Sequence, residues 1–132
     1  MQEHLIPLLE QGGRYFGVGG ALGFDTLVAE KLLDLRRQYP QIRVILVLPF
    51  RGYQGRWTAA QQARAARIES QIDKVVYCCD APSREAFLAR DRHLVDGSAY
   101  CIGYCTRTTG GTAYTLRYAE ANGLKIWNIA KQ

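Results

Sequence analysis

Tyr15-Phe16-Gly17-Val18-Gly19-Gly20-Ala21-Leu22-Gly23-Phe24-Asp25 runs from a short strand-like segment through a glycine turn into an amphipathic stretch. Strand, turn and helix in that order open a β-α unit, and the remainder of the chain repeats the pattern. Phe24 to Gln38 places Leu27, Val28, Leu32 and Leu35 on one expected helical face, with Glu30, Lys31, Asp34 and Arg37 mainly opposite. Ile42 to Leu48 (IRVILVL) is rich in β-branched residues and leucine, as in a strand buried on both faces. Thr58 to Ile72, with Ala59, Ala63, Ala66 and Ile68 among many Gln and Arg, reads as a surface helix.

Lys74 to Cys78, Ala99 to Tyr104 and Lys125 to Ile129, with the two runs above, make five candidate strands. Ser83 is the expected N-cap of a helix through Leu94 and Val95, with Glu85 in its first turn. Gly111 to Asn122 is the last expected helix, stopped at Asn122-Gly123. The fold class that follows is α/β, with a mainly parallel sheet of about five strands flanked by helices on both faces. Pro49 to Trp57 (PFRGYQGRW) is the one irregular stretch, and its glycines, aromatics and arginines suggest a loop facing a ligand.

With 132 residues, 48% of them apolar and 22% charged, the chain is expected to form a single domain over residues 1–132. No apolar run approaches the roughly 20 residues that span a bilayer, so no membrane association is expected. Met1-Gln2-Glu3-His4 does not open a secretory signal, which makes the expected location cytoplasmic. The net charge of +5 is scattered along the sequence, mostly as arginine, rather than gathered in a block. A mildly basic surface accounts for it first, and a small anionic ligand nearly as well, since arginine makes two-pronged contacts with phosphate and carboxylate. Cys78, Cys79, Cys101 and Cys105 form no CxxC pair, and neither His4 nor His93 stands at a zinc-like spacing from them. They are expected to be reduced core thiols, with neither a metal site nor a disulfide framework.

Three stretches carry the candidate site. In the first loop Gly19, Gly20 and Gly23 allow a close backbone approach and would bring a phosphate to the positive end of the following helix; a purely structural turn is the alternative. In the second, Thr108-Thr109-Gly110-Gly111-Thr112, threonine hydroxyls add donors around the same kind of anion site, against N-capping as the plainer role. Two such loops at strand ends of a parallel sheet put both sites on one carboxyl edge, where open α/β sheets bind ligands. In the third, Arg90 to Ser98 (RDRHLVDGS), Arg90 would meet a phosphate and Asp96 a ribose hydroxyl or the arginine. Arg92 fits a surface ion pair and His93 an exposed helix position. No nucleophile–base–orienter set is visible, so catalytic residues stay unassigned.

GGALGFD at 19–25, YP…LPF within 39–50, RDRHLVDGS at 90–98 and TTGGTAYTLRYA at 108–119 together resemble the YpsA-like branch of the SLOG superfamily. That superfamily groups Rossmann-like domains related to DprA and to the LOG phosphoribohydrolases. The resemblance spans nearly the whole chain and implies a three-layer Rossmann-like fold with a pocket for a nucleotide or nucleotide derivative. It places Gly19, Gly20 and Gly23 on one wall and Gly110, Gly111 and Thr112 on the other. Asp25 would cap or orient the first loop, and Arg90 would approach from the neighbouring helix.

Two departures bear on function. Proteins of the YpsA-like branch usually begin with an extra strand and a Thr-Gly-His-Arg-type turn, which this sequence does not contain. The expected consequences are a pocket without that turn and an open sheet edge at which a second copy would pair, giving a homodimer. LOG-type hydrolases carry a glutamate just after their GGxGT loop, whereas the first acid after Gly111-Thr112 is Glu120.

The leading expectation is therefore a sensory or regulatory domain for a small phosphorylated, nucleotide-like ligand, with no other cofactor assigned. Second comes an enzyme acting on a nucleoside monophosphate or nucleotide sugar, using Asp25 or Asp96 as the acid. Single-stranded nucleic-acid binding through Phe50, Tyr53 and Trp57 beside Arg51 and Arg56 ranks last.

Overall fold

A computed structural model describes residues 2–20, 23–103 and 111–128. Five helices and five strands alternate: α1 (Gln2–Glu10), β1 (Tyr15–Val18), α2 (Phe24–Leu35), β2 (Arg43–Leu48), α3 (Ala59–Glu69), β3 (Lys74–Tyr77), α4 (Arg84–Asp96), β4 (Tyr100–Gly103), α5 (Gly111–Ala121) and β5 (Lys125–Asn128). The five expected strands and four expected helices all form, trimmed by a few residues at their ends. Tyr104 and Ile129, expected as strand ends, lie outside the described residues, as does Cys105.

Among the described residues all the pairings are parallel. Gly17 of β1 stands beside Ile45, and Leu46 of β2 beside Val75 of β3. Cys101 of β4 stands beside Ile126 of β5. The sheet is split, however, into a β1-β2-β3 part and a β4-β5 part. The architecture is mixed α/β and Rossmann-like.

β2 is central in the larger part, and the reason lies in its composition. Val44, Leu46, Val47 and Leu48 are all buried, so apolar side chains leave both faces into the interior. Leu32 and Leu35 of α2, Ile68 of α3, and Leu5 and Leu9 of α1 pack into the same core. The helix α1 is not announced by the sequence pattern. Pro7 removes an N–H within it, yet Leu5 and Leu9, four residues apart on one face, both bury, and that burial holds the helix against the sheet.

Two expectations are corrected. Leu27 is 50% exposed, and the buried face of α2 is Ala29, Leu32 and Leu35. Cys78, Cys79 and Cys101 are half-buried free thiols rather than core residues, because they sit where strands end or border a cleft. α3 begins with a reciprocal cap, in which the Gln61 N–H donates to the Thr58 hydroxyl and the Thr58 N–H to the Gln61 side chain. Ser83 caps α4 through the Ala86 N–H at 3.0 Å. Among the described residues no helix is long and apolar enough to cross a membrane.

Candidate functional site

The site is built where β1 runs into its glycine loop and α4 passes beneath it. Arg90, in the middle of α4, is only 7% exposed. Its Nη1 donates to the Gly19 carbonyl, and its Nε donates to Asp91 Oδ1 at 2.7 Å. The guanidinium also lies 5.9 Å from the centre of the Phe87 ring. A buried arginine needs such partners, since an uncompensated charge in the interior is costly.

Gly19 is required by close approach. A Cβ there would stand 2.9 Å from Asp25 Oδ2 and 3.3 Å from Arg90 Nη1. The Asp25 and Asp91 carboxylates thus lie near or against one guanidinium, which offsets one of the two negative charges. Asp91 also faces the start of α5, with its Oδ2 3.9 Å from where a Cβ on Gly111 would be.

These residues border a cleft of about 430 Å³ whose wall includes Gly19, Asp25, Arg90, Asp91, Gly111 and Thr112. That volume is in the range of small-molecule sites, roughly 300–1,000 Å³. Gly23, the N-cap of α2, has no side chain to satisfy the free N–H groups at the positive end of the helix. The end of β1, the start of α2 and the start of α5 therefore meet around Arg90.

Not every expected residue joins this group. Gly20 is turned away, beneath Tyr53, whose hydroxyl donates to the Gly20 carbonyl at 2.9 Å. Burial pushes the Tyr53 phenol well above its usual value. Gly23 is the N-cap of α2 and does not line the cleft. Asp96 is exposed at the end of α4, outside the cleft wall, and accepts from the Tyr118 hydroxyl at 2.7 Å. That hydrogen bond raises the Tyr118 phenol above its usual value. Arg92 pairs with Glu85 and donates to the Tyr114 hydroxyl at 3.1 Å, as a surface arginine would. Gly110, with Thr108, Thr109, Ala21 and Leu22, lies outside the described residues.

The stretch from Pro49 to Trp57 contributes nothing to the wall of the larger cleft. It braces the first loop from outside. Tyr53 packs edge-on against Trp57 with centres 5.3 Å apart, Arg51 lies 4.3 Å over Tyr77, and Phe50 meets Phe87 at 5.5 Å. Asp91 is the site residue that the sequence did not single out. Between two arginines it reads as a surface charge, and only the burial of Arg90 turns it inward. Cys78 belongs to the same neighbourhood: burial raises its thiol, with Cys79 and Asp91 acting in the same direction and Arg90 against it.

The fold and this strand-end cleft define a Rossmann-like α/β protein with its candidate site at the carboxyl edge of the sheet. The chain matches the YpsA family model, described as the YspA SLOG family, over residues 1–130, and it belongs to that family. It is 26% identical over 100 residues to a UPF0398 protein of Listeria welshimeri, covering 74% of this chain and 55% of that protein. A UPF0398 protein of Lactiplantibacillus plantarum is 32% identical over 73 residues, 55% of this chain and 39% of its own length. One from Bacillus velezensis is 23% identical over 136 residues, 98% of this chain and 75% of its own length. The chain spans about half the length of the first two of these relatives.

Proposed function

We propose that residues 1–132 form one cytoplasmic domain that binds a nucleotide or nucleotide derivative in the cleft around Arg90, in a sensory or regulatory role. The observation that carries this reading is the convergence of Gly19, Asp25, Arg90, Asp91 and Gly111 on one cleft. The helix starts at α2 and α5 would attract the phosphate. The carboxylates of Asp25 and Asp91 would accept from ribose hydroxyls, as acidic residues do in other dinucleotide folds. Arg90 is engaged by Gly19 and Asp91, so its main part is to hold the first loop against α4. Membership of a SLOG family supports a nucleotide-related role.

The test is thermal unfolding in the presence of mononucleotides, dinucleotides, ADP-ribose-like compounds and nucleotide sugars. A ligand at a hundredfold excess over its Kd adds about 2.7 kcal/mol of stability. A shift by one class, lost in Asp25→Ala, is the expected result. No shift by any class at millimolar concentration overturns the reading.

One observation favours a second reading, an enzyme acting on a nucleoside monophosphate or nucleotide sugar. Asp25 and Asp91 supply two carboxylates at the cleft, where acid or base assistance to glycosidic cleavage would need them. Release of free base or sugar, abolished in Asp91→Asn while nucleotide binding persists, separates the enzyme from the binding domain.

A further inference from the structure

Phe87 is a large apolar side chain on the cleft wall that folding leaves 40% exposed. It stands three residues before Arg90, four before Asp91 and seven before Leu94, all of which border the cleft, so the four share one face of α4. α4 follows β3, and Phe87 lies near its start. Phe50, two residues past the end of β2, meets the Phe87 ring at 5.5 Å and 86°, which puts Phe87 at the carboxyl edge of the sheet, beside the mouth of the cleft. That contact comes from the irregular 49–57 stretch, which otherwise stays outside the cleft wall, and it fixes the plane of the ring. The Arg90 guanidinium, 5.9 Å from the ring centre, is within cation–π reach. Tyr100, also on the wall and 42% exposed, opens β4 at the opposite, amino edge, and its ring is already stacked on Trp127 at 5.6 Å.

We propose, resting on the nucleotide reading above, that Phe87 is the platform on which the nucleotide base stacks, with the phosphate directed toward Gly19 and the start of α5. The ring shares a helix face with Arg90 and Asp91, so base and sugar-phosphate would lie along one side of α4. An aromatic ring offers its π-face to any base, and such stacking adds affinity without reading the base edge. A ring held in place by its neighbours loses little freedom on binding, which gives the Phe50 contact a positioning role. The exposure of Phe87 is then the open surface of a ligand contact.

Calorimetric titration of the full chain with AMP and with ribose 5-phosphate, which lacks a base, tests it, together with NMR of the adenine ring protons. The expected result is AMP binding about tenfold tighter than ribose 5-phosphate, with an upfield ring-current shift of the adenine protons. Phe87→Leu, which keeps an apolar side chain but no ring, should cut that preference to under about threefold and abolish the shift. Phe87→Tyr and Tyr100→Leu should keep both. Equal binding of the two ligands, a preference that survives Phe87→Leu, or one lost in Tyr100→Leu instead overturns the proposal and leaves a phosphate-binding cleft standing. No binding of AMP at millimolar concentration overturns it too, and the nucleotide reading falls with it only when the wider panel is also silent.

Discussion

Gly20→Ala is expected to be far more costly than an ordinary glycine replacement. Gly20 has a φ of +71°, and a Cβ there would stand 2.4 Å from Leu48 Cδ2 and 2.8 Å from the Tyr53 hydroxyl. Leu48 is fully buried and cannot swing into solvent. Left-handed backbone in an L-residue costs about 1 kcal/mol, and one methyl forced into a packed interior about 2 kcal/mol more. With roughly 2.1 cal/mol/K of unfolding entropy per residue, a loss of about 3 kcal/mol lowers the Tm by about 10 °C. Gly123 supplies the comparison, since its φ is +78° but nothing lies within 4 Å of an added Cβ. Gly123→Ala should cost only the backbone share, about 1 kcal/mol and about 4 °C. Calorimetry or urea unfolding of both variants measures the difference. A cycle with Leu48→Ala identifies the cause, because removing the obstructing methyl should make the double variant at least about 1 kcal/mol better than additive. Equal losses at Gly20 and Gly123, or strict additivity with Leu48→Ala, would refute the steric account.

Arg90→Met should lower stability by about 3 kcal/mol, because it leaves Asp91 and the Gly19 carbonyl without their buried partner; urea unfolding reads it, and a loss under 1 kcal/mol would show the guanidinium to be solvated. Thr58→Ala should cost about 1 kcal/mol through the cap of α3, measured in the same way, and a neutral result would mean that this helix start frays in solution. Arg64 holds the Glu30 carboxyl below its usual pKa. Glu30 therefore adds stability that is present above the unfolded carboxylate value of about 4.3 and is lost as pH falls through the lower folded value. Both side chains are more than a third exposed, so Glu30→Gln should cost no more than about 0.5 kcal/mol at neutral pH and less in acid; a cost that grows in acid would contradict the pairing.

Much of the fold is legible along the chain because short, apolar strands alternate with amphipathic helical stretches. Ser83 announces the start of α4 and caps it as its hydroxyl suggests, whereas Thr58, read as the first residue of its helix, is instead the cap of α3. The first helix is hidden because Pro7 interrupts its pattern while Leu5 and Leu9, which hold it in place, act only through distant partners. Side-chain faces are harder to read than elements. Leu27 meets a helical template, but Ala29, small and little weighted by hydropathy, takes the buried place.

The site is legible in part for a similar reason. Gly19 and Arg90 stand in separate motifs that the fold brings together. Asp96 looks equally suitable in sequence but is the last residue of α4, about 1.7 turns beyond Arg90. Asp91 is visible only once the burial of Arg90 is known. The split between β1 and β4 leaves no mark in the local pattern, since strand order is a long-range property.

The contact between Arg90 and Gly19 joins residues 71 positions apart. Closing a chain segment of that length carries an entropic cost that local contacts do not, so this clasp belongs to the slow, high-contact-order part of folding. The β-α units on either side gain their own helices and ladders first, and the cleft takes shape only when α4 docks. Substitutions at Arg90 should then speed unfolding and leave the refolding rate nearly unchanged, a φ-value near zero. In a nascent chain the Gly19 carbonyl would stay without this clasp until synthesis had passed α4.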